Sequence, residues 1–190
     1  MDKKSIFERR ERAYEAEYFS RKDADLIDKL KAVFHKKIDK QSIREATGVT
    51  DERVLDRLVE LNLNGELMAA FNLLPLVEVA WADGEVDDRE VRAVLSAAEQ
   101  HGCPPGSNAY TLLETRLREG PVKEARKVWF LYAETLKNTL SPQQLAEFRK
   151  DLVETCLQVA ETSGGLLNLV FKVSANERQI IEAIERALTV

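Results

Sequence analysis

Two cysteines, two histidines, five prolines and eight glycines in 190 residues leave little room for several kinds of chemistry. Cys103 and Cys156 stand far apart and in no C-x-x-C or Cys/His spacing, which argues against a disulfide framework or a zinc site. Both read as reduced, small apolar residues. His35 and His101 are isolated, and His101 ends a helical pattern, where a protonatable side chain meets the negative end of the helix dipole. Also missing are a phosphate-cradling glycine loop, a nucleophile elbow and a Cys/His pair that would activate a nucleophile. The sequence therefore nominates no enzyme. No segment reaches membrane-spanning length without charges, and residues 1–10 lack the apolar stretch of a signal peptide, so a cytoplasmic location is expected.

What is present is helical pattern. Charged residues make up 32% of the chain and hydrophobic ones 44%, with a net charge of -5, a balance that gives no reason to expect nucleic acid as partner. Apolar residues recur at helical spacing between sparse Pro and Gly breaks, and nothing alternates with period two. The pattern predicts a charged helix from about Phe7 to Phe34, with Tyr14, Tyr18, Leu26, Leu30 and Phe34 near one stripe. Two shorter helices follow between Gln41 and Leu63, parted by Gly48, Val49 and Thr50, with Thr50 placed to cap the second. Leu67 to Ala82 reads as one helix, apolar around most of its circumference and therefore central. Helices are expected at Asp87–His101, Ser107–Arg118 and Val122–Thr139, then from the Ser141 capping box to Thr162, and finally at Ser174–Leu188. The fold class is thus all-α, a bundle of mostly antiparallel helices with an N-terminal helical extension. Its parts are a charged helix (1–40), a small hairpin (41–66) and a larger helical domain (67–190).

Asp83, Glu85, Asp87, Asp88 and Glu90 place five carboxylates within eight positions, opposed only by Arg89. Like charge packed this closely is costly unless water, a cation or a helix N-terminus stabilises it. Oxygen ligands suit a hard cation such as calcium or magnesium. Set against a calcium-binding EF-hand loop, Gly84, Asp87 and Glu90 take matching places, but the first and third ligand places fall on Val79 and Trp81. Simple turn-and-cap duty is the competing reading: Asp87-x-x-Glu90 is a capping box and Gly84 serves a turn. A partner surface is the third. Ser174-x-x-Glu177 repeats the box without the acids, and residues 80–90 echo residues 160–164 and 172–177, suggesting two similar helical halves.

The run from Leu74 to Glu90, with Ala82-Asp83-Gly84-Glu85-Val86 at its centre, resembles the A-D-G-x-(I/V)-x-x-x-E signature of the TerB-like family. That family includes tellurite-resistance proteins and the N-terminal domain of a membrane-bound DnaJ-type co-chaperone. The resemblance covers about Leu67 to Val190. It implies an all-α fold of two similar halves, metal binding by Asp83, Glu85, Asp87 and Glu90, and a role in stress responses near the inner membrane. Ser163 and Ser174 stand where the second half would need acids, so the likeness does not carry a symmetrical two-loop metal site.

Residues 41–63 imitate a helix-turn-helix, but the would-be recognition helix carries Asp51, Glu52, Asp56 and Glu60, which would face phosphate. No nucleic-acid partner is expected. In the N-terminal segment, Lys3, Lys4, Arg9, Arg10, Arg12, Arg21 and Lys22 are nearly cancelled by interspersed Glu and Asp. Two functional expectations result. One is a regulatory module that binds a protein partner and holds a divalent cation at residues 83–90. The other is a metal-independent adaptor that docks a protein or a membrane surface through its N-terminal helix.

Overall fold

The computed structural model describes residues 28–163 and 173–190. Tyr14, Tyr18, Leu26 and residues 164–172 lie outside them, so those parts of the expected first helix and of the second-half echo are not described. The chain divides into two units, Met1–Ile38 and Asp39–Val190. In the first, residues 28–38 are helical, and the helical run continues without a break to residue 47, so the expected interruption between Phe34 and Gln41 does not occur. In the second, α1 (residues 39–47) and α2 (Glu52–Glu60) precede a 3-10 turn, Gly65–Leu67. Then follow α3 (Met68–Asn72), α4 (Leu74–Ala80), α5 (Asp88–Gln100), α6 (Asn108–Glu119), α7 (Lys123–Thr139), α8 (Pro142–Ser163) and α9 (Ala175–Ala187). No strand occurs among the described residues, and the fold is all-α.

Capping sets most of the boundaries. Ser107 accepts the Tyr110 N–H at 3.1 Å. Ser141 and Gln144 bond reciprocally at 3.0 and 3.3 Å, while Pro142, which has no N–H to lose, opens α8. Two further expectations fail. The cap of α2 is Asp51 rather than Thr50: Asp51 accepts the Arg53 N–H at 2.9 Å, and a carboxylate there also meets the positive end of the helix. The single helix expected over Leu67–Ala82 is broken into the 3-10 turn, α3 and α4. Pro75 is the cause, since it cannot donate to the Phe71 carbonyl and its ring would strike it. The chain breaks at Leu73 (φ -94°, ψ 0°) and restarts with Pro75 in its first turn.

The expected centrality does hold for α4. Pro75, Leu76, Val77, Val79 and Ala80 are all buried, and α4 packs against α3, α5, α6, α8 and α9. Its neighbour α8 packs on α4, α5, α7 and α9. The hairpins α4–α5 and α8–α9 thus form the heart of the second unit. One hydrophobic cluster runs through it, from Ile43, Val54, Leu55 and Leu58 to Ile181, Ile184 and Leu188, so residues 41–66 share a core with residues 67–190. Phe71, fully buried, meets Tyr132 edge-on at 5.7 Å between ring centres.

The Ser42 side chain ties α1 to the 3-10 turn. Its hydroxyl donates to the Asp39 carbonyl and accepts the Gly65 N–H at 2.9 Å. A Cβ at Gly65 would stand 2.5 Å from the Ser42 carbonyl oxygen, which the backbone must move to avoid. Gly65→Ala should therefore cost about 1–3 kcal/mol, seen as a lowered urea midpoint. An unchanged midpoint would mean that α1 is not held where Ser42 and Gly65 put it.

Candidate functional site

The acidic turn is built from its backbone outward. Trp81 ends α4, its N–H bonded to the Val77 carbonyl and its indole Nε1 donating to the Leu117 carbonyl at 3.0 Å. The Gly84 N–H reaches back to the Trp81 carbonyl with φ +94°, a conformation that costs glycine nothing. Asp83 Oδ1 accepts the Glu85 N–H at 3.2 Å. Asp87 Oδ1 accepts the N–H groups of Arg89 and Glu90 at 2.7 and 2.9 Å, and Glu90 Oε2 accepts the Asp87 N–H at 2.9 Å. Three of the carboxylates are thereby bonded to the turn's own backbone.

A second turn lies against this one. Ser174 and Glu177 make the same reciprocal box at the start of α9, and Asn176 Nδ2 donates to the Ala82 carbonyl at 3.2 Å. The two box glutamates are the buried members of their turns, Glu90 at 4% and Glu177 at 5% exposure. Burial pushes the Glu90 carboxyl up to about 7, with help from the charges of Asp87, Asp83 and Glu177 and against the pull of the Asp87 N–H.

The residues expected to hold a metal take different places. Asp83, Glu85 and Asp87 are exposed, whereas Glu90 points inward to its cap. Among the described residues no group of three or more His, Cys, Asp or Glu side chains is arranged to hold a metal ion. Asp88, also exposed, begins α5. Beside the turn, a groove of about 600 Å³ between α5 and α6 is floored by Trp81, Val86, Val91, Leu95 and Leu117, with Glu114 and Arg118 at its rim.

His101 caps α5 and its Nδ1 stands 3.4 Å from Asp151 Oδ2. Both cysteines are buried and free. Burial raises the Cys103 thiol and pushes that of Cys156 up to about 12, which leaves no thiolate at neutral pH. Two acids of α2 turn to α1: Lys40 pairs with Asp56 at 2.7 Å and Glu52 at 3.0 Å, and Arg44 also pairs with Glu52.

Sequence reasoning found only part of a second candidate. In residues 28–38, Leu30 and Phe34 of the expected stripe are 50% and 63% exposed, joined by Val33 at 64% and Ile38 at 61%. Spacing of i, i+3, i+4 and i+8 was the available signal. Among the described residues no helix is long and apolar enough to cross a membrane. No protein-family model matches the chain, and neither does any curated protein or solved structure. The two candidates therefore stand on their geometry.

The Glu90 carboxyl yields a test of the turn. Its folded value near 7 lies above the ordinary 4.5, so the fold favours the protonated form. That contribution is full below pH 4.5 and is lost as pH rises through 7. Glu90→Gln keeps an acceptor for the Asp87 N–H without the charge. It should match the parent near pH 4.5 and be more stable by about 3 kcal/mol at about pH 8, read from urea midpoints across pH. Parallel profiles would refute the buried-carboxyl account.

Proposed function

We propose that this chain is a non-enzymatic helical adaptor: Asp39–Val190 forms a packed body, and residues 28–38 dock it onto a protein partner or a membrane surface. The observation that carries this reading is the exposure of Leu30, Val33, Phe34 and Ile38 on one helix. Single exposed apolar residues are ordinary, but four in register along one helical face mark a contact surface. The likeness of residues 67–190 to TerB-like proteins supports placing the adaptor in a cytoplasmic stress response of that type.

A second reading keeps calcium or magnesium at Asp83, Glu85, Asp87 and Glu90. In its favour is the negative field that Asp87, Asp83 and Glu177 impose on Glu90, which a cation would relieve. On the adaptor reading, calcium or magnesium titrated calorimetrically into the metal-stripped chain gives no saturable heat. Saturable heat that Asp83→Asn/Asp87→Asn abolishes would establish the cation site instead.

The adaptor reading itself is tested with Val33→Glu/Phe34→Glu in the full chain. Both side chains are more than half exposed, so helicity and the urea midpoint should be unchanged. In gel filtration and sedimentation of cell extract, the parent should travel with a larger assembly and the variant should not. Identical behaviour of the two would refute docking through this face.

A further inference from the structure

The exposed face of residues 28–38 has a charge pattern as well as an apolar one, and we infer that its docking partner is an anionic lipid surface. This rests on the adaptor reading and names its target. With about 100° between successive helical residues, Val33, Leu30, Phe34 and Ile38 span an arc of about 140°. Lys29 and Lys36 fall just outside the Val33 edge, and Lys31 just outside the Ile38 edge. Lys37 projects from within the arc, where a long aliphatic stem can lie along apolar surface with its ammonium carried to the rim. Four lysines thus stand against one acid in residues 28–38, Asp28, which lies 3.8 Å from Lys31.

Cations on both borders of an apolar stripe fit a plane better than a groove. A helix lying in a bilayer interface sinks its apolar arc among acyl chains and meets lipid phosphates along both edges at once. Among the described residues no helix is long and apolar enough to cross a membrane, so the contact is in-plane. The charge of the chain is divided accordingly. Residues 1–38 hold 11 of the 28 Lys and Arg but only 8 of the 33 Asp and Glu, leaving 17 against 25 in residues 39–190. The acidic remainder offers no comparable attraction to an anionic surface, so the basic apolar helix must supply the contact itself. The same division makes a second copy of the chain the main rival occupant, its acidic body taking the basic helix.

The full chain is mixed with sucrose-loaded vesicles of phosphatidylcholine alone or with about 30 mol% phosphatidylglycerol, and the sedimented fraction is measured. The expected result is binding to the anionic vesicles roughly tenfold tighter than to the neutral ones, falling as salt is raised to about 0.5 M. Val33→Glu/Phe34→Glu should abolish it, and Lys29→Gln/Lys31→Gln/Lys36→Gln/Lys37→Gln should remove the preference for anionic lipid. All these positions are exposed, and a circular-dichroism melt checks that each variant stays folded. Vesicle binding equal for both compositions, or unaffected by Val33→Glu/Phe34→Glu, overturns the lipid assignment. Absence of vesicle binding with concentration-dependent self-association that Val33→Glu/Phe34→Glu abolishes assigns the face to a second copy and leaves the adaptor reading standing. If that variant changes neither vesicle binding nor any association, both fall.

Discussion

A helix apolar on every side can be satisfied only from every side, and α4 imposes that demand on this chain. Between Leu74 and Ala80 only Leu74 and Glu78 keep partial exposure, and even Glu78 is spoken for by Arg126 at 3.3 Å. Five helices gather around α4 as a result. Its end at Trp81 then fixes where the acidic turn must emerge. Burial raises the Glu78 carboxyl, Arg126 draws it back, and this pair is the polar seam of an otherwise apolar contact among α4, α7 and α9.

Position follows from that core for the acidic turn, while its chemistry follows from the pairing of two caps. Asp87 with Glu90 and Ser174 with Glu177 solve the same problem, the orphan N–H groups at a helix start. In both, the glutamate is the member that disappears from solvent. At Glu90, burial pushes the carboxyl up to about 7, and the charges of Asp87 and Asp83 add to that rise. Asp83, Asp87 and Glu90 each accept an N–H group of the turn's own backbone.

The helices were legible because their signals are local. Ser107, Asp87, Ser141 and Ser174 announce their caps within four residues, and α5, α6, α7 and α9 begin within a residue of where those signals or the Gly-Pro break at 120–121 put them. The break at Leu73 was also written locally, in Pro75, but the apolar run around it masked the signal. Asp51 displaced Thr50 because a one-residue choice between two good acceptors depends on where α2 starts. Burial of Glu90 was not legible at all. It depends on the start of α9 arriving from about ninety residues downstream, where Asn176 bonds Ala82 and Glu177 comes within reach of Glu90. The exposed face of residues 28–38 was half legible, since periodicity reveals that a stripe exists but not whether the fold covers it.

Trp81 is also a spectroscopic group. The chain has two tryptophans. Trp129 is 3% exposed in the core, while Trp81 lies partly open at the floor of the α5–α6 groove with its ring against Gly120 and its Nε1 bonded to Leu117. An aqueous quencher therefore meets one emitter and not the other. The collisionally quenched fraction of the native fluorescence is a built-in optical gauge of the groove and of the turn that begins there, with no label attached.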